Sequence, residues 1–190
     1  MKIDGEQRIA AAREDVWTAL NDPQSLRLCI PGCDSLERIS GNEFDGAVTA
    51  KVGPVKVSFG GRVTLSDIDP PNAYTLSGEG KGTAGFAKGE ASVRLREDGG
   101  ETVVSYTAKA LVGGKLAQVG SRLIEGTVRK LAGQFFANLN EHLAAEEEIL
   151  AAPAPQAGAT ALTGISPRTW TVALIFLAAL LAWLFATTGN

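Results

Sequence analysis

The chain has 190 residues, enough for one domain and an appendage. Its 21 acidic and 18 basic residues leave a net charge of −3, and every charge except that of Arg168 lies at or before Glu148. An acidic surface of mixed sign offers no broad basic face to a phosphate backbone, which argues against nucleic acid as a partner.

In chain order, Lys2–Ala10 predicts a strand. Arg13, Glu14 and Asp15 then open a helix whose apolar members are Val16, Trp17, Ala19 and Leu20. Asn21-Asp22-Pro23 ends it, and Pro23 opens a second short helix to about Ile30, stopped by Pro31-Gly32. The opening stretch MKIDGEQRIAAARED is charged where a signal peptide would need an apolar core, so the body is expected in the cytoplasm. There Cys29 and Cys33 are read as small, mostly buried apolar residues, since their spacing is not the redox C-x-x-C. With His142 the sole histidine, no four-ligand metal site is expected.

Six further strands follow, separated by regular turn signals: Asp34–Ser40, Glu43–Val52, Val55–Ile68, Ala73–Gly82, Gly85–Arg96 and Glu101–Leu111. Gly113-Gly114 releases the chain into a long helix over about Lys115–Glu147, with the stripe Leu116, Val119, Leu123, Val128, Leu131, Phe135 and Leu139. An antiparallel sheet buries one face only if something lies across it, and this helix is the available lid.

Side chains alternate across a strand, so one parity of each faces the helix. That parity carries Val55, Val57, Phe59, Val63 and Leu65 in one strand and Phe44, Gly46, Val48, Ala50 and Val52 in its neighbour. It then thins to Tyr74, Leu76, Gly78, Gly80 and Gly82, to Gly85, Ala87, Gly89 and Ala91, and to Tyr106, Ala108 and Ala110. The helix adds Gly120, Gly126, Ala132 and Gly133. So little side-chain volume either lets the helix sit very close or leaves space, and the cost of glycine within a strand favours space. The residues expected around an apolar ligand there are Phe59, Tyr74, Leu76, Gly78, Gly80, Ala87, Gly89, Ala91, Tyr106, Ala108, Leu116, Gly120 and Leu123. Tyr74 and Tyr106 are either core aromatics or hydroxyls for a ligand carbonyl. A Ser/His/Asp or Cys/His machine is not expected, and GEGKGTAGFAKGE lacks the G-K-[ST] of a phosphate loop.

Residues 149–167, rich in Ala, Pro, Gly and Thr, read as a flexible tether with a reach of roughly 20–25 Å. From Thr169 to Thr188 there are 20 uncharged, mostly apolar residues. At ~1.5 Å per residue they match a hydrocarbon core of ~30 Å. Trp170 and Trp183 stand near its ends and Arg168 just before it, which predicts a C-terminal anchor over 168–190 with domain 1–148 in the cytoplasm.

The segments LNDPQSLRLCIPGCDSLERISGNEFDGAVTAKVGPVKVSFGGRVTL and GGKLAQVGSRLIEGTVRKLAGQFFANL resemble the CoxG family of carbon monoxide dehydrogenase subunits over about residues 1–145, with PGC and VGPVKVSFGG the most specific parts. The resemblance implies a START-like (SRPBCC) helix-grip fold of class α+β, a curved antiparallel sheet gripping a long C-terminal helix around a lipophilic cavity. It also implies a non-catalytic accessory that recruits a carbon monoxide dehydrogenase-type molybdenum hydroxylase to the cytoplasmic membrane and handles its quinone, menaquinone or ubiquinone, with no covalent cofactor. Two other functions stay open: a pure recruitment module with an incidental cavity, and a START-like lipid-binding or cyclase-type enzyme.

Overall fold

A computed structural model describes residues 1–151 of the chain, so the expected tether and anchor lie outside the described residues. Strand β1 (Lys2–Ile9) is followed by helices α1 (Arg13–Asn21) and α2 (Pro23–Cys29). Strands β2 (Cys33–Arg38), β3 (Glu43–Val52), β4 (Val55–Asp69), β5 (Ala73–Gly82), β6 (Gly85–Asp98) and β7 (Glu101–Gly113) then run as a meander. A 3-10 helix over Gly114–Val119 leads into the long helix α3 (Ser121–Ala151). The seven strands form one antiparallel sheet in the order β1-β7-β6-β5-β4-β3-β2, the meander closed on one edge by the N-terminal strand. This is the α+β helix-grip arrangement, an antiparallel sheet with a C-terminal helix. Among the described residues no helix is long and apolar enough to cross a membrane.

Local chemistry explains the turns. Asp98 pairs directly with Glu101, leaving a two-residue hairpin loop whose Gly99 and Gly100 have φ of 66° and 88°. Two-residue loops that follow the strand twist need positive φ at both positions, which glycine adopts without steric cost. At the start of α2, Asp22 accepts a hydrogen bond from the Ser25 amide at 2.7 Å and one from the Ser25 hydroxyl at 2.8 Å. Those bonds, the backbone one first, hold the Asp22 carboxyl below its ordinary pKa.

Packing is uneven along the sheet. At the end covered by α1, α2 and the C-terminal part of α3, Ile9, Val16, Cys29, Val104 and Leu139 are fully excluded from solvent and pack in one cluster. A smaller cluster of Val52, Val57, Ala84, Leu116 and Ile124 closes the other end, around the 3-10 helix. The amide of Leu116 donates to the Ala84 carbonyl at 2.8 Å and ties that helix to the β5–β6 hairpin.

Two expectations need correction. The helix expected from Lys115 to Glu147 is broken: Gly120 has φ of 97° and ψ of 140°, outside any helical region, and the α-helix starts after it. Its buried stripe is also offset, because Ile124, Val128, Leu131, Phe135, Phe136, Leu139 and Leu143 turn inward while Leu123 is 46% exposed. The step of five from Leu123 to Val128 misses the helical repeat, and Ile124 to Val128 at four keeps it. Cys33 is only half-buried, unlike Cys29.

Candidate ligand-binding cavity

Between the two packed ends, sheet and α3 enclose a cavity of about 670 Å³. Its walls come from the inward parity of β3 to β7, from the inner face of α3, and from α1, α2 and the loop after it. Of the residues expected from sequence, Phe59, Tyr74, Leu76, Ala87, Ala91, Tyr106, Ala108 and Leu116 line it. Gly78, Gly80 and Gly89 line an adjoining concavity of about 330 Å³, which shares Phe44, Val48, Phe59, Val63 and Ala87 with the main one. Gly120 and Leu123 line neither, because the helix begins after Gly120 and Leu123 points outward over Gly53.

Several walls were not anticipated. Ile3 comes from β1 and Met1 from just before it, Leu20 and Leu26 from the two short helices and Ile30 from just after α2, and Ile124, Thr127 and Phe136 from α3. Regular helical spacing alone would have found Ile124 and Phe136. The contributions of β1 and α2 depend on pairing and docking across about a hundred residues, for which the sequence carries no local signal.

The small inward residues divide into two kinds. Ala87, Ala91 and Ala108 have real Cβ atoms directed at space, and Ala91 is the cross-strand partner of both Leu76 and Ala108. Most of the inward glycines are instead confined by their own sheet, although Gly80 has room, a Cβ there lying 3.5 Å from its nearest neighbour, the Gly60 carbonyl oxygen. A Cβ on Gly89 would lie 2.9 Å from the Lys109 carbonyl oxygen, and one on Gly78 would lie 3.2 Å from that of Arg62. A Cβ on Gly61 would collide with the Glu79 carbonyl oxygen. Neither close approach of the helix nor tolerance of a ligand explains these positions. At Gly89 and Gly61 the neighbouring backbone comes too near for a side chain, and at Gly78 a side chain fits only if Val63 and the Arg62 carbonyl give way slightly. On α3, Gly126 and Gly133 are exposed, and a Cβ at either meets nothing within 4 Å.

The lining has no charged side chain, and Thr127 and the two tyrosines supply its polar side-chain atoms. An uncompensated charge buried here would cost several kcal/mol or more, so the cavity suits a neutral, largely hydrocarbon guest. Tyr74 is buried edge-on against Trp17, with ring centroids 5.5 Å apart and planes at 76°. Burial pushes its hydroxyl pKa well above the ordinary value, so the phenol stays neutral into the alkaline range. Tyr106 stacks on Phe136 at 5.7 Å, its hydroxyl lying over Gly5, where a side chain on β1 would collide with it. The raised Tyr74 pKa has a stability consequence. Above about pH 10 the unfolded chain ionises this phenol while the folded one does not, so stability falls as pH rises from there. Tyr74→Phe should flatten that alkaline slope, measured by urea unfolding at about pH 8 and about pH 11.

One serine–histidine contact exists outside the cavity. His142 Nε2 lies 3.0 Å from Ser25 Oγ, beside a separate small pocket bordered by Asp15, Thr18 and Asp22. The Ser25 hydroxyl is directed to Asp22 as part of the α2 cap, so this contact joins α3 to α2 and presents no nucleophile to the cavity. Among the described residues no group of three or more His, Cys, Asp or Glu could hold a metal ion.

The geometry has known counterparts. A conserved protein from Geobacillus kaustophilus is 31% identical, with a TM-score of 0.73 over 77% of this chain and 97% of that one. The Zhui aromatase/cyclase from Streptomyces sp. R1128 shares the fold at 15% identity and a TM-score of 0.58, over 80% of this chain and 97% of that one. Ara h 8.0201 shares it at 14% identity and a TM-score of 0.54, over 76% and 98%. No curated protein matches the chain. The family model for CoxG, a carbon monoxide dehydrogenase subunit, matches residues 5–144, nearly the whole of the described fold. On that match the chain belongs to the CoxG family, an accessory-subunit family built here on a START-like helix-grip fold.

Proposed function

We propose that the protein is a non-catalytic carrier that holds a neutral isoprenoid quinone in the cavity between sheet and α3, and serves a carbon monoxide dehydrogenase-type molybdenum hydroxylase at the cytoplasmic membrane. The observation that carries this reading is the cavity itself, about 670 Å³ with no charged side chain in its lining. A quinone matches it in kind: a neutral ring with carbonyl acceptors for a tyrosine donor, and a hydrocarbon chain for the alanine and leucine walls. Membership of an accessory-subunit family supplies the dehydrogenase as partner. The uncharged stretch Thr169–Thr188, read as an anchor, supplies the membrane. A quinone dissolved in the bilayer is out of reach of a soluble dehydrogenase, and a tethered cavity closes that distance by raising local concentration without any new contact.

The test is chemical identification. Full-length protein purified from its membrane fraction is extracted with organic solvent and the extract identified by mass spectrometry. Menaquinone or ubiquinone in stoichiometric amount is the expected result; phospholipid alone, or an empty protein that binds no added quinone, overturns the carrier reading. A variant with a blocked cavity separates carrier from pure recruiter. Full-length Ala91→Phe should still bring the dehydrogenase to membranes yet lose electron delivery to membrane quinone, and undiminished delivery would leave recruitment as the function.

A further inference from the structure

The net charge conceals a strong segregation. Residues 1–3, 49–59, 80–89 and 107–124 contain eight lysines and arginines and no aspartate or glutamate, which leaves nine basic against 21 acidic residues in the rest of 1–151. The antiparallel register gathers these segments at one end of the sheet. They are the β3–β4 hairpin, the β5–β6 hairpin, the end of β7 beside the start of β1, and the 3-10 helix with the first turn of α3. All eight side chains are exposed. The ion pairs among the described residues involve other cations.

The sheet sets like charges directly opposite one another here. Lys51 is the cross-strand partner of Lys56, and Lys2 that of Lys109, while at the inner margin Glu90 faces Lys109 from its other side and Glu79 faces Lys88. Such pairs weaken a sheet, and an anionic surface laid against them would relieve the repulsion. Exposed apolar side chains stand among these charges. Phe86 is 42% exposed opposite Lys81, Leu111 is 64% exposed opposite Lys88, and Leu123 projects beside the β3–β4 turn. The cavity extends toward this same end, where Met1, Val52 and Leu116 line it.

We infer that this end of the domain is a docking face for an anionic lipid bilayer, its lysines held by the headgroup charge while Phe86, Leu111 and Leu123 enter the interface. The composition favours lipid over an acidic protein. Protein interfaces are enriched in Arg and depleted in Lys, whereas seven of these eight cations are Lys. Lysine near an anionic leaflet is worth about a fivefold gain in binding per charge. The apolar tips belong to separate elements, a pattern a fluid interface accepts without shape matching, and Leu111 and Leu123 have no use in phosphate-backbone recognition. The inference deepens the carrier reading by setting the cavity's end against the lipid, and its test does not depend on quinone.

Full-length protein is incorporated into nanodiscs of phosphatidylcholine and of an equimolar phosphatidylcholine–phosphatidylglycerol mixture, and amide exchange is followed by mass spectrometry. Peptides covering 49–59, 80–89 and 107–124 should exchange at least about fivefold more slowly on the anionic discs, with no change at the opposite hairpin over 97–101. The combined Lys51→Glu, Lys56→Glu, Lys81→Glu and Lys115→Glu variant should remove that difference. Four exposed positions are changed, and unaltered exchange at 97–101 reports that the fold is intact. Equal exchange on both discs, protection that survives the charge reversals, or protection that appears only when the dehydrogenase is added would each overturn the inference, the last by making this end a protein interface. Quinone bound without slowed exchange would sink the docking face and leave the carrier; slowed exchange without quinone would do the reverse.

Discussion

Ala91→Phe and Ala108→Phe are expected to weaken binding of a quinone or other lipophilic guest strongly while leaving the fold intact. Ala91 and Ala108 are direct cross-strand partners on adjacent strands, both half-buried and both facing the open cavity. A phenylalanine at either extends from an existing Cβ into that space, so it fills volume without displacing backbone. Loss of contact over even part of the guest should weaken binding by about 2–3 kcal/mol, or about 30-fold to 150-fold, by the apolar area it no longer buries. Thermal unfolding should stay within a few degrees of the parent. Gly89→Leu is the contrasting variant. Its Cβ meets the Lys109 carbonyl oxygen at 2.9 Å, so strand β6 must move away from β7, at a cost of about 1–3 kcal/mol or more. Gly61→Leu should be worse still, because its Cβ collides with the backbone of Glu79. Fluorescence titration with a soluble quinone analogue, paired with thermal melts, reads both quantities. If Ala91→Phe and Ala108→Phe bind as the parent does, the guest does not sit between these strands and α3.

The second large effect separates packed core from cavity wall on one helix. Leu139 is fully excluded from solvent among Ile9, Val16 and Leu143, whereas Leu131, two turns earlier, is half-buried against the cavity. Leu139→Ala removes its contacts and leaves a new void, which costs about 2–5 kcal/mol. Leu131→Ala only enlarges a space that already exists, so it should cost about 1 kcal/mol or less in the unliganded protein. Urea unfolding of ligand-free protein measures the difference. With ligand bound, the Leu131 variant should lose more, since its wall then has a partner. Equal destabilisation by the two substitutions in the ligand-free protein would mean that the space beside α3 is closed in solution.

Much of the architecture is legible along the chain because it rests on local chemistry. The bounds of β3 and β5 follow from turn residues and alternation alone, Glu43–Val52 and Ala73–Gly82, and the inward parity of β3 to β7 follows with them. Side-chain alternation in a strand has a period of two and survives any tertiary arrangement. Hence Phe59, Tyr74, Ala91 and Ala108 could be assigned to the cavity from sequence. The CoxG segments and the uncharged C-terminal run are legible for the same reason, since each is a contiguous pattern.

What required the tertiary structure is whatever depends on distances between remote segments. Glycine in a strand reads the same whether it leaves room for a ligand or for the neighbouring backbone, and only the approach of Gly89 to Lys109 and of Gly61 to Glu79 shows the second. The sharp turn at Gly120 rotates the helix start, and so decides that Ile124 rather than Leu123 faces inward. Charge shows the difference most clearly. Summed along the chain it is slightly acidic, but hairpin ends some 30 residues apart meet at one end of the sheet and gather eight cations there, with acids only at the inner margin, Glu79 opposite Lys88 and Glu90 opposite Lys109. Composition averages over the surface; pairing register decides which charges are neighbours, and electrostatic interaction depends on that separation.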